Sequence, residues 1–175
     1  MDWVVDWVAA SAIATSITAF VTVVYTIMFG QAVFAAFKQL SELKKSGRFQ
    51  ATLAVFKELK ARDFIEDRRY IYDNLPENTA GIEAVQLKSH FRNVEVALTA
   101  FERVGYLLRE KHIDAEPILE NYWASVWRCW KKSKNLIAWA REQRGQQDYF
   151  RNFEYLFSLS EEYRIKNKYE EPKFY

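Results

Sequence analysis

Apolar positions follow two rules along this chain. Between Trp7 and Phe37 no charged residue interrupts them, a run of 31 residues. From Lys38 onward they recur at three- and four-residue spacing with polar residues between, the period of amphipathic helices, and the alternation of a strand is absent. As a helix the first run extends about 46 Å at 1.5 Å per residue, against the roughly 30 Å of a bilayer's hydrocarbon core. The expected fold class is therefore all-α. One N-terminal transmembrane helix occupies residues 1–37, a cytoplasmic helical bundle follows over 38–166, and a C-terminal tail fills 167–175.

Within the bundle, Ser46-Gly47 is expected to break the chain ahead of a helix from Arg48 to Ala61 whose inward face is Phe49, Leu53, Phe56 and Leu59. A second helix runs from Asp63 to about Asn74 and stops before Pro76. Residues 75–81, with Pro76, Asn78 and Gly81, form a loop. A long helix from Ile82 to Lys111 follows, with Val94, Leu98, Phe101, Val104 and Leu108 as its core stripe. Asp114 is placed to cap the next helix with its carboxylate. There Leu119, Trp123, Trp127 and Trp130 make a ridge of large side chains, expected to pack in the core. Ser133 is a candidate bend, and Gly145 closes the helix. The last helix, from about Gln147 to Lys166, buries Phe150, Phe153, Leu156 and Phe157. The polar tail beyond it is expected to be loose or to touch a neighbour.

The long run is not uniformly greasy. Ser11, Thr15, Thr18, Thr22 and Thr26 recur at four, three, four and four, which stacks them on one helix face. A hydroxyl stripe facing lipid brings a lone helix nothing, so it points to packing against sister copies, as pore-lining or helix-packing residues. The alternative is that each hydroxyl bonds the carbonyl one turn back and needs no partner. Trp3 and Trp7 suit the outer interface. Lys38, Lys44, Lys45 and Arg48 just after the run place that side in the cytoplasm by the positive-inside rule, with the N-terminus outside. A cleaved signal peptide would instead begin with basic residues, where this chain has Asp2 and Asp6.

Composition agrees with a packed helical protein: six Trp, ten Tyr and thirteen Phe against five Gly and three Pro. The net charge of +2 hides an asymmetry, because no basic residue precedes Lys38. Beyond that point 25 basic residues face 21 acidic ones, since Asp2 and Asp6 account for the other two of the 23. That mild excess suits an anionic surface without demanding one. The single Cys129 excludes an intramolecular disulfide and reads as a buried, inert thiol.

Ordinary catalytic patterns are missing. The two histidines carry no metal-site spacing, and there is no Gly-rich phosphate loop, nucleophile elbow or kinase signature. Helical ribonucleases pair an Arg with a His after four to six residues, as clamp and acid/base on the phosphate. His90 would need that Arg among Glu83, Ala84 and Val85, and His112 among Gly105, Tyr106 and Leu107. What remains is the pair Arg92-Asn93 and Arg151-Asn152, with Leu156, Phe157 or Ser158 where a His should follow Arg151. His90, Arg92, Asn93, Arg151 and Asn152 are thus the candidates for a degenerate nuclease-like pocket, weighed against an ordinary polar helix face. Lys131, Lys132, Lys134, Arg141 and Arg144 form a basic run that reads as a solvated face or as a phosphate contact, to lipid headgroup or RNA. No catalytic residue, metal site or cofactor is expected, and the chain does not read as an enzyme.

The run from Asn93-Val-Glu-Val through Phe101-Glu-Arg-Val-Gly, His112-Ile-Asp, Trp123 to Trp130, Ala140-Arg and Phe153-Glu-Tyr-Leu resembles a bacterial family with one N-terminal span and a helical cytoplasmic domain. The size, single span, hydroxyl-lined helix and helical tail also resemble the small membrane accessory proteins of type VI-B CRISPR loci. That likeness implies a divergent HEPN-like bundle, a homo-oligomeric pore in the bacterial inner membrane, and a part in antiphage defence beside an RNA-guided effector or RNA. Carried over, Ser11 to Thr26 would build the pore and Arg151-Asn152 would be a relic of the nuclease motif. Two rivals stand beside it: a non-conducting anchor that recruits a cytoplasmic partner, and a helical nuclease using His90, Arg92 and Arg151.

Overall fold

A computed structural model describes residues 2–76 and 78–173, with backbone alone for 2–6, 8–12, 14 and 16. Among the described residues there are six helices and no strand: α1 Asp2–Leu59, α2 Arg62–Asp73, α3 Ala84–Arg92, α4 Glu95–Arg109, α5 Ala115–Arg144 and α6 Arg151–Lys166. The chain divides into two compact units, residues 1–47 and 48–175.

The first unit is the apolar part of α1. Its described side chains are all exposed, Ile13, Ile17, Phe20, Val24, Ile27, Phe34 and Phe37 among them. Within Ile17–Leu59, α1 is long and apolar enough to cross a membrane, and none of its most apolar stretch is buried.

The second unit has an aromatic core that runs from helix to helix. Phe64 of α2 meets Phe101 of α4 edge-on at 5.2 Å, and Phe101 stacks on Phe153 of α6 at 5.0 Å. Phe153 in turn takes the edge of Trp130 of α5 at 5.1 Å. Such pairs add about 1 kcal/mol each beyond the area they bury. The stripe Val94, Leu98, Phe101, Val104 and Leu108 is buried as the periodicity predicts, with Leu119, Trp127, Trp130, Phe150, Phe153 and Leu156. Trp123 and Phe157 are half-buried.

α4 and α6 come together closely because position 105 is glycine. A Cβ there would lie 1.9 Å from the Asn152 carbonyl oxygen, a distance no side chain tolerates.

Several expected boundaries move. The helix does not break at Ser46-Gly47: a lone glycine costs about 1 kcal/mol in a helix, and no proline removes a hydrogen bond here. The inward face of 48–59 is Thr52, Val55 and Leu59, with Phe56 half-buried, whereas Phe49 and Leu53 stay 65 % and 50 % exposed. The bundle accepts only the C-terminal end of the expected stripe.

The helix expected over Ile82–Lys111 is two helices. Asp67 of α2 accepts the Val96 N–H at 2.9 Å and the Ala97 N–H at 3.4 Å, so a carboxylate distant in sequence supplies the N-terminus of α4. Burial nonetheless holds the Asp67 carboxyl above its usual range, and those two amides pull it the other way. Asp114 stands at the N-cap of α5 without a cap hydrogen bond, and its carboxylate meets Arg48 at 3.4 Å instead.

Ser133 does not interrupt the helix: its hydroxyl donates to the Cys129 carbonyl at 2.6 Å within a continuous α5. Gly145 ends α5 in the left-handed conformation as expected. The last helix begins at Arg151 rather than Gln147, since Phe150 is itself left-handed, with φ 59°. Through Lys173 the tail folds back. Tyr169 stacks on Trp123 at 5.3 Å, and the Lys173 carbonyl accepts from Arg128 at 3.5 Å. Phe174 and Tyr175 lie outside the described residues.

Candidate functional site

The hydroxyl face of the first unit comes first. Thr15, Thr18 and Thr22, with Ala19, border one shallow hollow on the helix surface. The Thr22 hydroxyl donates to the Thr18 carbonyl and the Thr26 hydroxyl to the Thr22 carbonyl, each at 2.8 Å. Ser11, Trp3, Asp2 and Asp6 have side chains outside the described residues. The stripe thus exists as a face, with two of its hydroxyls satisfied by their own helix.

The residues of the expected nuclease-like pocket have the following partners. His90 Nδ1 shares a hydrogen bond with the Tyr70 hydroxyl at 2.9 Å, which ties α3 to α2. Asn93 is the C-cap of α3, its N–H directed at the carbonyls of the preceding turn. Asn152 Nδ2 donates to Glu102 at 2.6 Å, beside the Phe153 N–H at 2.7 Å, which ties α6 to α4. Asn152 Oδ1 is buried without a hydrogen-bond partner among the described residues. Arg151 is exposed at the start of α6. Beside them, Phe91 packs near Tyr149 at 6.3 Å and Phe150 at 6.2 Å. The two Arg-Asn pairs therefore serve different junctions.

The basic run of α5 is largely committed to the fold. Lys131 sits over the rings of Trp127 and Phe157, at 5.0 and 5.7 Å. Arg141 donates to the Tyr149 carbonyl and pairs with Glu154, both at 2.8 Å. Trp127 Nε1 donates to Glu161 at 2.6 Å, and Arg164 pairs with the same carboxylate at 2.6 Å, holding it below its usual range. Cys129 is fully buried, and burial pushes its thiol up to about 12, which makes it unreactive near neutral pH.

Arg92 lines a cavity. This groove of about 430 Å³ lies between α3 and the last turns of α5. Ala84, Lys88 and Arg92 approach it from one face of α3, four residues apart. Trp139, Ala140, Gln143 and Arg144 approach from α5, with Phe91 and Glu95 completing the wall. Among the described residues there is no group of three or more His, Cys, Asp or Glu side chains able to hold a metal ion.

Sequence reasoning missed Glu102, Gly105 and Asp67 as organisers, and the groove itself. The first two lie inside Phe101-Glu-Arg-Val-Gly, whose order makes sense once Glu102 caps α6 and Gly105 lets α6 approach. No curated protein and no solved structure matches the chain. The pattern of one family matches residues 15–158, from the apolar part of α1 into α6, and the chain belongs to that family, described as "Domain of unknown function (DUF4760)".

Proposed function

We propose that this protein is a single-span membrane anchor that holds a helical binding domain at the cytoplasmic face of the bacterial inner membrane, with its N-terminus outside. The observation that carries the reading is the apolar part of α1. It exposes large side chains on every side and buries none of its most apolar stretch, and a helix apolar all round belongs either inside a protein core or in lipid. Lys38, Lys44, Lys45 and Arg48 support the orientation. The family pattern begins at residue 15, inside the apolar run, which supports a retained helix over a cleaved leader. The internal bonds of Thr22 and Thr26 support an anchor that needs no sister helix to satisfy those donors.

A second reading rests on the hollow bordered by Thr15, Thr18, Ala19 and Thr22, because small residues on one face let membrane helices approach closely. On it, copies assemble into a pore that disturbs the membrane in CRISPR-linked antiphage defence.

Light scattering on the detergent-solubilised full chain separates the two. The anchor reading expects one chain per particle, and no uptake of a depolarisation dye by expressing cells under phage challenge. A closed oligomer, with dye uptake abolished by Thr18→Leu together with Thr22→Leu, would establish the pore instead.

A further inference from the structure

The geometry points to the groove between α3 and the end of α5 as a binding site for a soluble aromatic monophosphate: a flat ring system carrying one anionic group.

The floor and the rim ask for different halves of such a ligand. Half-buried Trp139 and exposed Val85 line the groove, with Phe91 and Ala140 buried beneath, an apolar surface that offers a planar ring one aromatic face. Lys88, Arg92 and Arg144 stand around it, all exposed, with Glu95 as the one carboxylate in the lining. Among the described residues none of these three cations is within ion-pair distance of a carboxylate. This sets them apart from Arg141 and Arg164, whose charges are answered inside the fold.

Arg144 is also held in place. Its guanidinium lies over the Tyr149 ring at 4.4 Å and near Phe91 at 5.9 Å, which leaves its N–H fork for an acceptor. Lys88 and Arg92, one turn apart on α3, add charge from the opposite wall. A volume of about 430 Å³ is within the range of small-molecule sites, roughly 300 to 1,000 Å³. The excess of cations favours an anionic guest, and the Trp139 ring favours a planar body.

Calorimetric titration of the full chain in phosphatidylcholine nanodiscs tests this with 1-naphthyl phosphate as probe. The site predicts saturable binding with one probe per chain. Affinity should be about tenfold or more above that of inorganic phosphate, 1-naphthol or dihexanoylphosphatidylglycerol, each of which lacks one half of the match. Lys88→Ala with Arg92→Ala should weaken binding about tenfold or more, and Ala84→Trp should abolish it by filling the groove from an exposed position. Lys134→Ala, on α5 but outside the groove, should change nothing, and unaltered circular dichroism melts show that the variants fold. The assignment is overturned by no saturable binding of 1-naphthyl phosphate, by binding that survives both groove variants, or by tighter binding of the lipid.

Discussion

The apolar part of α1 and helix α4 are both rich in large hydrophobic residues, yet they handle them in opposite ways. In α4, Leu98, Phe101, Val104 and Leu108 sit on one side and vanish into the contact with α2 and α6. In α1, Phe20, Val21, Val23 and Phe29 point all round the helix and none is covered. A soluble helix concentrates its apolar residues because only one face has a partner, whereas a helix in lipid meets an apolar solvent on every side. The difference is what the proposed membrane placement of α1 accounts for.

Truncations should break that comparison most sharply. Phe101→Ala removes the ring that links Phe64 to Phe153 and should destabilise the helical domain by about 4 kcal/mol in denaturant melts. Phe34→Ala, at a side chain 73 % exposed, should leave those melts unchanged. Glycines sharpen the same contrast at smaller scale. Gly105→Ala drives a methyl into the Asn152 backbone and should cost about 3 kcal/mol, whereas Gly47→Ala meets nothing within 4 Å and should be neutral or stabilising.

The smallest effect concerns acid. The Arg164 pair and the Trp127 bond depress the Glu161 carboxyl in the folded chain below its ordinary 4.5. Its contribution is therefore present above that value and is lost as pH falls through the lower folded one. Glu161→Gln should flatten the acid limb of a stability-against-pH curve below pH 4.5, and leave its slope near neutrality alone.

Periodicity revealed the helical class, the core stripe of α4 and the buried part of the Trp ridge, because each depends on neighbours three or four residues away. It did not reveal the split between α3 and α4, because the reason lies in Asp67, on another helix. The partners of the candidate pocket's residues were hidden for the same reason. His90 and Asn152 are spent on Tyr70 and Glu102, partners that no local spacing discloses. The groove was legible only in fragments: Arg92 and Arg144 stood out as basic residues, but their common wall required α3 to lie beside the end of α5.

The claim on which the rest depends is that the apolar part of α1 lies in a bilayer. An alkaline carbonate wash of membranes from cells making the full chain tests it directly. The protein should stay in the membrane pellet, and Val24→Lys with Ile27→Lys, each costing about 3 kcal/mol at the centre of a span, should release it. A wild-type chain recovered in the supernatant as a detergent-free monomer would contradict the account.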